Sequence, residues 1–240
     1  MSTFEHGELT IHYEETGSGF PVLLLAPGGL GSAIDLWDRA PWSPVEQLSP
    51  HFRVITMDQR NAGGSFAPVR ASDGWPSYTA DQLALLDHLG VDRFHVLGMC
   101  IGGAFILSLI HTAPERVASA VALQPIGLEG NRDLFLTAFD TFADDRRDAH
   151  PEAGAEDWAG FRDNLYGGDD VLWSVPGSEI AAFPTPILVL MGDDEHHPQS
   201  ASRHLVERAP NASLVESWKP EAARPAAREA VEKFLAEHSA

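Results

Sequence analysis

The sequence is poor in cations and has only one cysteine. Sixteen Lys and Arg stand against 35 Asp and Glu, a formal net charge of −19 at pH 7. So acidic a surface repels phosphate backbones and anionic bilayers, which argues against nucleic acid or a membrane as partner. A lone cysteine, Cys100, leaves no intramolecular disulfide and no multi-cysteine zinc site. No apolar run approaches the roughly 20 residues that a membrane helix needs. The start, residues 1–13, lacks the basic-then-apolar layout of a secretory signal, so a cytoplasmic location is expected. Repeats and low-complexity segments are absent, and nothing in the sequence calls for a cofactor. The expected partner is a small-molecule substrate, with a homodimer as a further expectation.

What is present is a chain of 240 residues, 44% hydrophobic, long enough for one α/β core. Short apolar runs alternate with helical patterns. Residues 9–13 alternate like an edge strand. Residues 22–25, 52–57, 94–97, 117–123 and 187–191 read as core strands. Helical spacing marks residues 78–89, 201–208 and 225–238. Strands apolar on both faces, alternating with helices, predict a mostly parallel sheet flanked by helices. Residues 125–183 break the alternation. They predict a small helical lid inserted into a core made of residues 1–124 and 184–240. Ligands of such sheets bind at the carboxyl ends of the strands, where a lid would lie. Phe135, Leu136, Phe139, Phe142, Trp158 and Trp173 would give it an apolar face or a small core of its own.

Gly98-Met99-Cys100-Ile101-Gly102-Gly103 runs from a strand into a helix. This is the setting of the nucleophile elbow G-x-S-x-G, here with cysteine in place of serine. The turn is sharp, so its flanking positions must be nearly without side chains. A helix beginning behind a thiol favours the thiolate. The plainer alternative is a packed core thiol in a glycine-rich turn.

Nearly the whole chain resembles the α/β-hydrolase family. Ala26-Pro27-Gly28-Gly29 stands where the family carries its oxyanion turn. The stretch from Asp58 through Arg60, Gly63 and Gly64 to Ser65 resembles the family's D-x-R-G-x-G-x-S turn. The elbow alone is also similar to that of dienelactone hydrolases, which use cysteine. The resemblance implies an oxyanion hole from the backbone N–H groups of Gly29 and Ile101. It implies hydrolysis of a small neutral ester, thioester or lactone, with Cys100 as nucleophile. A lyase, isomerase or acyltransferase on the same fold, or a ligand-binding protein with a degenerate site, are the rival readings.

One family feature is missing. The family's histidine precedes the last helix, and that position falls on Trp218; no histidine lies between His204 and His238. The segment Gly192-Asp193-Asp194-Glu195-His196-His197-Pro198 offers a substitute. His197 is the favoured base, because the proline after it holds it extended, with His196 as the alternate. Glu195, at the family's acid position, would orient the ring or be a surface acid. Metal binding by this cluster is a weaker option, since contiguous ligands rarely converge. Asp58 and Arg60 are expected to form a structural ion pair.

Overall fold

The computed structural model describes residues 2–239. Eight strands form one sheet: β1 (Ser2–His6), β2 (Leu9–Thr16), β3 (Pro21–Leu25), β4 (Arg53–Met57), β5 (Phe94–Met99), β6 (Val117–Leu123), β7 (Ile187–Leu190) and β8 (Ala212–Val215). Their order across the sheet is β1-β2-β4-β3-β5-β6-β7-β8. The pairs β1–β2 and β2–β4 are antiparallel and all the others parallel. Every residue of β5 and β6 is buried, as expected for strands covered on both faces. Of the two edge strands, β1 is largely open to solvent, while β8 is mostly half-buried.

The helices are α1 (Pro44–Leu48), α2 (Trp75–His88), α3 (Gly102–Thr112), α4 (Arg132–Asp144), α5 (Ala155–Tyr166), α6 (Gly177–Ile180), α7 (Gln199–Arg208) and α8 (Arg224–Glu237). From Gly102 to Ile110 α3 is buried without a break, so it is apolar all round rather than on one stripe. Two apolar cores lie on the two faces of the sheet. One gathers Leu85, Phe105 and Ile106; the other gathers Leu48, Val231 and Leu235. Cys100 packs against both, because it sits at the rim of the sheet between them. The stretch between β6 and β7 supplies α4, α5 and α6.

The turn after β4 corrects one sequence expectation. Asp58 does not pair with Arg60. Its Oδ1 accepts from the Ile34 N–H at 2.7 Å; Oδ2 accepts from the Gly64 N–H at 2.7 Å and meets His12 Nδ1 at 2.7 Å. Arg60 turns away to Asp73 at 2.6 Å and Asp81 at 2.7 Å, joining the turn to α2 and the loop before it. Gly63 allows this closure: a Cβ there would lie 2.2 Å from the Asp58 carboxylate. Asp58 and Arg60 are thus both structural, with different partners. Cutting the buried Arg60 pairs by removing one side would cost about 3–5 kcal/mol.

Candidate active site

Cys100 follows β5 directly and has φ +63°, a strained conformation for a residue with a side chain. The surrounding chain holds it there. The Cys100 N–H donates to the Leu123 carbonyl at 3.0 Å, and its carbonyl accepts from the N–H groups of Gly103 at 3.0 Å and Ile126 at 3.2 Å. The elbow glycines are required by space. A Cβ on Gly98 would lie 2.8 Å from Gly102 backbone atoms, and one on Gly102 would lie 2.8 Å from the Leu25 carbonyl oxygen. The strand can turn into α3 this tightly only without those carbons.

The thiol lies at a cavity of about 260 Å³. Gly28, Gly29, Leu30 and Gly31 wall one side; Phe135, Phe139 and Phe142 of α4 and Tyr166 of α5 wall the other. The three phenylalanines follow helical spacing, so one stripe of α4 faces the cavity. α4 and α5 thus wall the cavity at the thiol; Phe135, Phe139, Phe142, Trp158 and Trp173 are all buried.

The loop after β7 brings His197 to the thiol. Its ring is buried, and Nδ1 meets Asp194 Oδ1 at 2.6 Å. The same carboxylate oxygen accepts from the backbone N–H of His196 at 3.0 Å and of His197 at 3.1 Å. One Asp thus fixes both loop and ring, as Asp does in a side-chain-closed turn. With Nδ1–H donated to Asp194, the lone pair of Nε2 is left free. Nε2 is buried and makes no completed hydrogen bond, and ring and thiol lie close enough to shift each other's titration. Gly192 makes the loop possible, since a Cβ there would lie 2.2 Å from the His197 carbonyl oxygen.

The electrostatics of the three groups agree. Burial pushes the Cys100 thiol up, but the His197 ring and the N–H groups of Gly28 and Ile101 outweigh it, leaving the thiol below its ordinary value. Burial pushes the His197 ring down, while Cys100 and Asp194 pull it above its ordinary value. Partial burial raises Asp194, and its bonds to His197 and the loop N–H groups bring it below. These directions favour a thiolate–imidazolium pair backed by a carboxylate.

The fold gives each residue singled out in the sequence a place. Cys100, Ile101 and His197 come together. Gly29 lines the cavity, while the second N–H that reaches the sulfur belongs to Gly28, one residue earlier. Both glycines of this turn have positive φ, +114° at Gly28 and +61° at Gly29. Glu195 does not hold the ring. It is exposed and its carbonyl accepts from the Asn131 amide at 2.6 Å; Asp194 is the orienting carboxylate. His196 is exposed, yet its ring lines the cavity edge-on to Phe135, at 5.8 Å between centroids. Trp218 is sealed in the core, where its indole N–H donates to the Met191 carbonyl at 2.7 Å. It thereby braces the residue just before the His197 loop. Among the described residues no group of three or more His, Cys, Asp or Glu is placed to hold a metal ion. No helix among them is long and apolar enough to cross a membrane.

Known proteins share parts of this sequence and fold. The 2-hydroxy-6-oxo-2,4-heptadienoate hydrolase of Pseudomonas putida is 32% identical over 123 residues, 51% of this chain and 43% of that enzyme. The chain thus spans less than half the length of that relative. The 2-hydroxy-6-oxononadienedioate/2-hydroxy-6-oxononatrienedioate hydrolase of Burkholderia vietnamiensis is 26% identical over 238 residues, 86% of this chain and 82% of that one. The enol-lactonase of Burkholderia xenovorans LB400 superposes with a TM-score of 0.71 at 22% identity, covering 98% of this chain and 100% of that one, a likeness of fold. The family model for the alpha/beta hydrolase fold matches residues 21–169, more than half of the sequence, and the chain belongs to the α/β-hydrolase fold family.

Proposed function

We propose that this protein is a cysteine-dependent hydrolase of small esters, thioesters or lactones. The observation that carries the reading is the meeting of Cys100 with His197, itself held by Asp194, at the edge of an apolar cavity. The Cys100 thiolate attacks the substrate carbonyl. Backbone N–H groups at Ile101 and the Gly28-Gly29 turn stabilise the oxyanion, which is usually the largest catalytic contribution in acyl transfer. The imidazolium of His197 gives its proton to the leaving oxygen or sulfur and then activates water to release the acyl group. The cysteine elbow keeps its likeness to dienelactone hydrolases, and two relatives are named as hydrolases of oxo-dienoate compounds. The presence of a positioned base and orienter supports catalysis over passive ligand binding.

The test is turnover of a panel of p-nitrophenyl esters, thioesters and lactones by the wild type and by Cys100→Ala. The variant should keep the fold, because the elbow accepts a small side chain, and should lose roughly 10³-fold or more in kcat. Equal rates in the two proteins would remove Cys100 from the mechanism.

A further inference from the structure

The hydrolase reading leaves the acyl group undefined, and an arginine beside the cavity narrows it. Arg146 follows α4. Its Nε donates to the Asn61 carbonyl, its Nη1 donates to the Phe142 carbonyl at 3.2 Å, and its guanidinium carbon lies 4.0 Å from the centre of the Phe142 ring. These contacts fix the plane of the group and leave the Nη2 end uncommitted. Nη2 lies beside Gly31, 3.7 Å from where a Cβ would stand. Gly31 and Phe142 both line the Cys100 cavity, while Arg146 itself lines an open groove of about 440 Å³ shared with Asn61 and His150. The guanidinium therefore stands at the boundary between cavity and groove.

Its lack of a counter-ion stands out in this chain. Acids outnumber Lys and Arg by 35 to 16, and half-buried arginines such as Arg60, Arg116 and Arg132 each hold a carboxylate. Arg146 has none within ion-pair distance among the described residues. Arg224, at the start of α8, shares this lack but touches no residue that lines the cavity, whereas Arg146 touches Phe142 and stands beside Gly31. Asp145 lies in the same groove as Arg146 without pairing to it. An arginine keeps its charge even when partly desolvated, so this one has an unmet need for an anion.

We propose that Arg146 receives a carboxylate at the far end of the acyl chain, so that the preferred substrate is an acid-terminated ester, thioester or lactone rather than a neutral one. The substrate class rests on the hydrolase reading; the anion site does not. A single uncommitted Nη2 end suits one carboxylate oxygen, and the apolar wall from Phe135 to Phe142 suits the methylene chain between carboxylate and ester.

The experiment compares p-nitrophenyl butyrate with mono-p-nitrophenyl glutarate, for the wild type, Arg146→Met and Arg146→Lys. Calorimetric titration with glutarate gives a readout apart from turnover. The wild type should prefer the glutarate ester. Arg146→Met should lose about 10- to 100-fold in kcat/KM on that ester, the worth of one charge-assisted hydrogen bond, and stay within about threefold on butyrate. Arg146→Lys should retain part of the preference. Glutarate should bind the wild type and bind Arg146→Met at least about 10-fold more weakly. Equal losses on both esters, or glutarate binding that ignores the substitution, would show that Arg146 only fastens α4 to the Asn61 turn and would overturn the proposal. Arg146-dependent glutarate binding without turnover of either ester would sink the hydrolase reading and leave the anion site standing. Neither binding nor turnover would remove both.

Discussion

The elbow at residues 98–103 and the loop at residues 192–198 both serve the same thiol, but they are built on different terms. At the elbow the backbone sets the position. A strained φ at Cys100 and two glycines pressed against neighbouring chain leave one arrangement, with a thiol at its apex. In the loop a side chain sets the position. On the proposed mechanism, the ring that the family presents from the segment before its last helix would come here from the segment after β7, where Asp194 holds His197 within a single turn. Trp218, where the family's spacing would put that histidine, braces the Met191 carbonyl. Backbone geometry at a strained turn is hard to move. A base can move between loops at the rim of a sheet if its ring still reaches the nucleophile.

If the base has moved, the largest effect apart from loss of the thiol should come from His197→Ala, which should cost roughly 10²–10⁴ in kcat. His196→Ala should stay within about threefold on the same substrate. The opposite ranking would place the base on His196 and undo the comparison. Next comes the orienter. Asp194→Ala should cost less than losing the ring but more than about 10-fold, because ring and loop both lose their anchor. Glu195→Ala should change kcat by less than about twofold. A large effect at Glu195 would mean that the loop rearranges when substrate binds.

The smallest effect is expected at the brace. Trp218→Phe keeps most of the buried ring but leaves the Met191 carbonyl without its donor, a loss of about 1–3 kcal/mol. For a chain of this size that lowers Tm by roughly 2–4 °C per kcal/mol. Activity should fall modestly, since the His197 loop begins one residue further on. A loss of activity with Tm unchanged would make Trp218 part of the site rather than its support.

Much of this architecture is legible in the sequence. Five of the eight strands follow from apolar runs, because buried parallel strands must be continuous in hydrophobicity; β2, antiparallel to both neighbours, follows from its alternation instead. β1 leaves no such trace, since Phe4 is its sole buried residue. β8 leaves none either, because four residues at a sheet edge carry no buried pattern. The elbow is legible because its glycines answer a steric need that a sequence records directly. The acid beside His197 falls one step off. Counting by the family's spacing lands on Glu195, while the ring is held by Asp194. The signal lies in the chemistry of the turn: an Asp whose carboxylate accepts the N–H groups two and three residues on will also reach a side chain there. Gly29, expected as an oxyanion donor, lines the cavity, and the N–H that reaches the sulfur is that of Gly28. Which N–H faces the sulfur depends on the torsions of both glycines, which spacing alone does not set.

The relocated pair is tested most directly by the pH dependence of Cys100 alkylation. Iodoacetamide reacts with the thiolate, so its rate rises as pH climbs through the thiol pKa. In the wild type His197 and the two N–H groups lower that pKa, so the rate should rise at a pH below the free-thiol value of about 8.5. In His197→Ala burial acts with less opposition, and the midpoint should move upward. A wild-type midpoint at or above about 8.5, or one that His197→Ala leaves in place, would contradict the thiolate–imidazolium pair on which the account depends.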